Sequence, residues 1–159
     1  MKSLLCLVAS TVIVGCTTVE PKYIEPTNEN VAHITFKNNS LKSLKVAYYE
    51  ISEKCQKRRH ANVILPNTEA THKISAGSNF TFQFYLTNFD TSKHETSCLL
   101  NLRFQPKVNA HYEVDTVENL YSCKWLATDT TDPKNPIPVK FEAIEWKAGW
   151  GEDGSFCNK

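Results

Sequence analysis

Phe80-Thr81-Phe82-Gln83-Phe84-Tyr85-Leu86 alternates in character with a period of two, and it is the strongest structural signal in this 159-residue sequence. Successive side chains of an extended strand point to opposite faces, so Phe80, Phe82, Phe84 and Leu86 share a buried face, while Thr81, Gln83 and Tyr85 are expected to face water. The aromatic stripe is read as sheet core rather than as the wall of a ligand pocket.

The same period recurs on both sides. Upstream, Ala32, Ile34 and Phe36 share a face and are followed by an Asn38-Asn39-Ser40 turn; Leu44, Val46 and Tyr48 form the next stripe, and a short strand over Ala61 to Leu65 is closed by Pro66-Asn67. Downstream, Cys98, Leu100, Leu102 and Phe104 make an inward stripe ended by Pro106, Tyr112 and Val114 are in phase, and Cys123 and Trp125 share a face within Leu120 to Ala127. Val139 to Lys147 is expected to be the last strand, with the phase change between Phe141 and Ile144 read as a bulge. A short helix is allowed only around Thr87 to Glu95. Seven or eight short antiparallel strands separated by polar turns predict an all-β sandwich or barrel.

Glycine usage narrows both turns and function. Between Cys16 and Lys147 the sole glycine is Gly77, so turns fall to Asn, Asp, Pro and Ser. The glycine-rich phosphate loops and nucleophile elbows that need backbone beside ligand have no place to form.

The N-terminus sets the address. Met1-Lys2 is a positive start and Leu4 to Val14 an apolar run of about eleven residues, too short for a stable span and suited to a signal peptide. It ends in Ile13-Val14-Gly15-Cys16, which resembles the lipobox of bacterial lipoproteins. That resemblance implies removal of residues 1–15 and lipid on Cys16. Thr17, in place of an inner-membrane-retaining Asp, implies the outer membrane, with the leaflet left open. Acyl chains contributing roughly 0.8 kcal/mol per buried methylene would anchor the chain to the membrane. Residues 16–30 then read as lipidated cysteine plus flexible tether, with docking of Val19, Tyr23 and Ile24 as an edge strand the alternative; residues 31–159 read as one domain.

Removing residues 1–15 takes Lys2 from the 18 basic residues, leaving 17 against 17 acidic, so no nucleic acid or anionic surface is indicated as a partner. With Cys6 cleaved and Cys16 lipidated, Cys55, Cys98, Cys123 and Cys157 remain, an even set that predicts two disulfides in an exported chain. Of the three pairings, Cys55 with Cys98 and Cys123 with Cys157 is the expectation, the second bridge pinning the glycine-rich tail from Gly149. No CxxC spacing supports a metal site, and no cofactor is indicated.

The run Cys98-x5-Phe104-x-Pro106, followed by Tyr112 and Cys123, is similar to a pattern in small bacterial lipoproteins of unassigned activity, although Ala110-His111 stands where a Gly often precedes the Tyr. The resemblance implies an immunoglobulin-like or transthyretin-like sandwich. His33, His60, His72, His94 and His111 fall in five separate segments with no HxxxH pair, and no Ser, His and Asp spacing is diagnostic, so the chain is not expected to be an enzyme.

Two functional readings follow. The first is a non-catalytic outer-membrane lipoprotein that binds an envelope protein or assists its assembly, with open sheet edges available for strand addition. The second is a ligand-binding or enzyme-inhibitor module, similar to lipoprotein lysozyme inhibitors. Candidate binding residues are Lys57, Arg58 and Arg59, in a run expected to form a solvated loop, and Trp146 and Trp150 in the tail.

Overall fold

Phe80, Phe82, Phe84 and Leu86 are all buried, and the strand that carries them lies at the centre of a sheet. The computed structural model describes residues 20–87, 96–119 and 122–158. In chain order the strands are β1 (Val31–Asn38), β2 (Ser43–Ile51), β3 (Gln56–Ile64), β4 (Thr68–Ser75), β5 (Phe80–Thr87), β6 (Thr96–Phe104), β7 (His111–Asn119), β8 (Ser122–Asp129), β9 (Ile137–Pro138) and β10 (Glu142–Ile144). One sheet has the order β4-β1-β7-β8-β9 and the other β10-β6-β5-β2-β3. Their inner faces meet in a shared core that joins Ile34, Phe36 and Val114 of the first to Tyr48, Phe82 and Leu102 of the second. The fold is an all-β sandwich, antiparallel except where β1 runs parallel to β7.

Ten strands are present among the described residues, where seven or eight were expected. The last expected strand, Val139 to Lys147, is shortened to β10 in one sheet, and β9 precedes it in the other. Pro136 and Pro138 supply no N–H donors, so pairing stays short and at an edge. The chain then crosses between sheets, with Val139 and Phe141 packed on the core. The expected bulge is absent: β10 pairs with β6 in regular register, and Phe141 packs on the inner core while Ile144 packs on the outer cluster, so the apparent phase change is a change of face. The helix expected near Thr87 to Glu95 falls mainly on residues outside those described. Asn67 and Asn109 occupy turn positions at φ 57° and 62°, the role expected of asparagine in a glycine-poor chain.

The opposite face of β5 is not wet. Thr81 and Gln83 are as buried as the phenylalanines beside them: Ser52 and Arg103 bond Thr81, and the C-terminal segment lies over the Gln83–Asn101 amide pair. There Tyr49, Cys55, Phe156 and Cys157 form a second, smaller core with Ile144 against it.

The disulfide between described residues joins Cys55 to Cys157, with Cα atoms 5.6 Å apart and a sequence separation of 102. The expected pairs, Cys55 with Cys98 and Cys123 with Cys157, are therefore incorrect. The reason is facial: Cys98 is buried with Leu86 and Leu102 between the sheets, whereas Cys55 lies in the outer cluster. The tail is pinned as anticipated, but to the β2–β3 hairpin.

Candidate functional site

The expected basic loop is the start of β3, and its charges are engaged within the fold. The Arg58 guanidinium donates two parallel hydrogen bonds to the Glu152 carboxylate, 2.7 Å from Nε and 2.6 Å from Nη2, and a third to Gln83 Oε1 at 3.1 Å. It also lies 4.2 Å from the centre of the Phe156 ring. Hydrogen bonds from Arg58 hold the Glu152 carboxyl below its usual range against the opposing effect of burial. Arg59 bonds Glu50 at 2.7 Å and Asp153 at 3.0 Å, while Lys57 lies 3.8 Å from Glu50. Arg58 and Arg59 fasten the tail to the hairpin rather than presenting a cationic surface, while Lys57 stays half-exposed beside Glu50.

Beneath the ion pairs runs a buried amide network. Asn101 Oδ1 accepts from Tyr49 Oη at 2.9 Å and from Gln83 Nε2 at 3.1 Å, and Asn101 Nδ2 donates to the Phe156 carbonyl at 3.0 Å. Each partner belongs to a different segment, so the network fixes the tail's register over the sheet.

The resulting frame holds Trp150 outward. A Cβ on Gly149 would stand 2.8 Å from two Phe156 ring carbons, and one on Gly154 would stand 2.6 Å from the Trp150 backbone nitrogen. Gly151 sits at φ +63°, where side chains strain the backbone. The loop is thus compact, yet Trp150 is 97% exposed at its tip. Trp146 is nearer the fold, 38% exposed and bridged to Cys157.

The segment read as a tether is built into the sandwich from its first described residues. His60 N–H donates to the Pro21 carbonyl at 2.9 Å and Tyr23 N–H donates to the His60 carbonyl at 2.8 Å, so residues 21–23 cover the free edge of β3. Tyr23 Oη then donates to the Lys73 carbonyl at 2.9 Å, and Glu25 accepts from Lys73 N–H at 3.2 Å, which covers the edge of β4. The Tyr23 ring lies 4.3 Å from that of buried Tyr48, closing the seam between the two sheets. The edges proposed for strand addition are, at this seam, already occupied.

This segment also meets the tail. Arg58 N–H, one hydrogen-bonding position below His60 on the same edge, donates to the Glu152 carbonyl at 2.7 Å. Glu20 and Glu152 flank the two nitrogens of the His60 ring at 3.8 and 3.2 Å. The N-terminal segment and the Trp150 loop therefore enter the fold side by side.

Beyond the end of β3, five residues on from His60 and about 16 Å along the strand, Leu41 is 91% exposed and Leu65 51% exposed. Asn38 Nδ2 stitches their loops together, donating to the carbonyls of Lys42 and Ile64 at 2.8 and 2.9 Å. Val63 adds apolar surface to this rim. Sequence reading passed over Leu41 and took Leu65 only as the end of a strand, so neither was marked as a surface.

Elsewhere, a cleft of about 540 Å³ lies between Ile24 and Ile51, but the carboxylates on it are committed, Glu50 to Arg59 and Glu53 to Asn79. His33 and His111 stack with ring centres 4.8 Å apart on the parallel β1–β7 pair. Among the described residues no group of three His, Cys, Asp or Glu side chains is placed to hold a metal ion. No protein-family profile matches the sequence, and no curated protein matches it at a significant level.

Proposed function

We propose that the chain is a lipid-anchored, non-catalytic interaction module of the bacterial outer membrane, with a protein-binding rim at the end of the sandwich away from its anchor. The anchor rests on the lipobox-like Ile13-Val14-Gly15-Cys16. The observation that carries the binding function is the rim itself: Leu41 and Leu65 stay exposed on loops that Asn38 fixes in place. Exposed apolar side chains on a preorganised frame lose little entropy when a partner covers them. The alternative reading, a ligand-binding or enzyme-inhibitor module acting through Lys57, Arg58 and Arg59, is disfavoured because Arg58 and Arg59 are held by Glu152, Glu50 and Asp153.

The test is cross-linking of the native lipidated protein in cells, followed by purification and mass spectrometry, with a Leu41→Asp/Leu65→Asp variant beside it. One dominant envelope protein that is captured by the wild type and lost from the variant is the expected result. Equal capture by both, or capture of none, counts against the rim.

A further inference from the structure

We infer that Trp150 seats in the headgroup layer of the phospholipid bilayer that anchors the chain. This rests on the lipid-anchor reading of Cys16. Four peptide steps separate Cys16 from Glu20, a reach of at most about 14 Å even when fully extended. Glu20 is already beside the His60 ring, and Glu152, two residues from Trp150, flanks the other nitrogen of the same ring. A bilayer holding lipid on Cys16 thus lies within a short chain length of the Trp150 loop, and the domain has little freedom to stand away from it.

The loop has the character such a surface selects. Indoles favour the membrane interface, where the ring is shielded and the N–H stays hydrated. Here an indole is held 97% exposed by a disulfide, a bidentate Arg58–Glu152 pair and a tight glycine turn. Charges around it are of both signs, with Glu20 and Asp153 on one side of the balance and Lys54 and Lys57 on the other. Seating is therefore apolar rather than electrostatic, and suits zwitterionic phosphatidylethanolamine. It also directs Leu41 and Leu65 away from the membrane.

The test uses the full lipidated chain, reconstituted into phosphatidylethanolamine vesicles containing lipid brominated near the headgroup end of the acyl chain, with Trp150→Phe as the comparison. The expected result is strong quenching of wild-type tryptophan emission, loss of the quenched component in the variant, and no change in high salt. Equal quenching in both proteins, with Trp150 open to aqueous iodide, overturns the inference; so does cross-linking that places Trp150 under a protein partner. The mass of the N-terminal peptide from the same sample separates the failures. An unlipidated Cys16 removes the anchor and the inference together, whereas a lipidated Cys16 with unquenched Trp150 removes the inference alone.

Discussion

Replacing both Cys55 and Cys157 with serine is expected to remove a large share of the domain's stability. The bridge closes a loop with a sequence separation of 102. In the chain-entropy description, a loop of that length contributes about 4.7 kcal/mol at 25 °C by restricting the unfolded chain. Domains of this kind are stable by about 5–15 kcal/mol, so the loss is a substantial fraction of the whole. At roughly 2–4 °C per kcal/mol for a chain near this length, the melting temperature should fall by about 10–20 °C. The tail retains the Arg58–Glu152 pair, the Asn101 network and the buried Phe156 ring, so the variant should still fold. Urea unfolding followed by both far-UV circular dichroism and tryptophan emission reads the change. A shift below about 1 kcal/mol, with coincident transitions, would refute the reasoning that this bridge constrains the unfolded chain.

Other consequences are equally open to measurement. Burial holds the His72 imidazole below its ordinary 6.5 despite Glu25 at 3.6 Å, and hydrogen bonds from Arg58 hold Glu152 below its ordinary 4.5. Both folded values lie below the unfolded ones, so the unfolded state takes up protons first: stability is full above about pH 6.5, declines below it through His72, and declines again below about pH 4.5 through Glu152. A melting curve for His72→Gln that tracks the wild type between pH 5 and 6.5 contradicts this. Tyr23→Phe should cost about 1 kcal/mol for the Lys73 hydrogen bond, and Tyr23→Ala about 2–4 kcal/mol with faster hydrogen exchange at His60; unchanged exchange at His60 would count against closure of the seam. Gly149→Ala should cost about 1–3 kcal/mol by displacing the Phe156 ring, read by urea midpoint, and a neutral effect would mean the ring yields freely. Cys98 is also disulfide-bonded, and a non-reducing digest should join it to Cys123; a free thiol in the denatured mature chain argues otherwise.

The inner faces were legible because period-two burial is a property of neighbouring residues. Ala32, Ile34, Phe36, Leu44, Val46, Tyr48 and the β5 stripe all lie where alternation put them. What escaped reading depends on residues far apart in the chain. Gln83 looked wet because the segment that covers it begins some sixty residues later, and only the folded chain brings Asn101 and Phe156 to it. Arg58 and Arg59 looked free for the same reason, since Glu152 and Asp153 lie 94 residues away. Cysteine pairing failed because number and order do not reveal which face of which sheet each sulfur occupies. Residues 16–30 read as a tether, yet Pro21 needs only its carbonyl to pair with the β3 edge, and proline retains that. Trp150 was a candidate, with Trp146, from its place in the glycine-rich tail, and only the structure gave its exposure and the approach of Glu152, two residues on, to the His60 ring that Glu20 also flanks.

The most direct measurement is the mass of the mature N-terminal peptide from the native membrane-extracted protein. The account predicts a chain that begins at Cys16, with diacylglycerol on its sulfur and an acylated amine. A chain that begins elsewhere, or one in which Cys16 carries a free thiol, would contradict the anchor on which the outward rim and the membrane-facing Trp150 both depend.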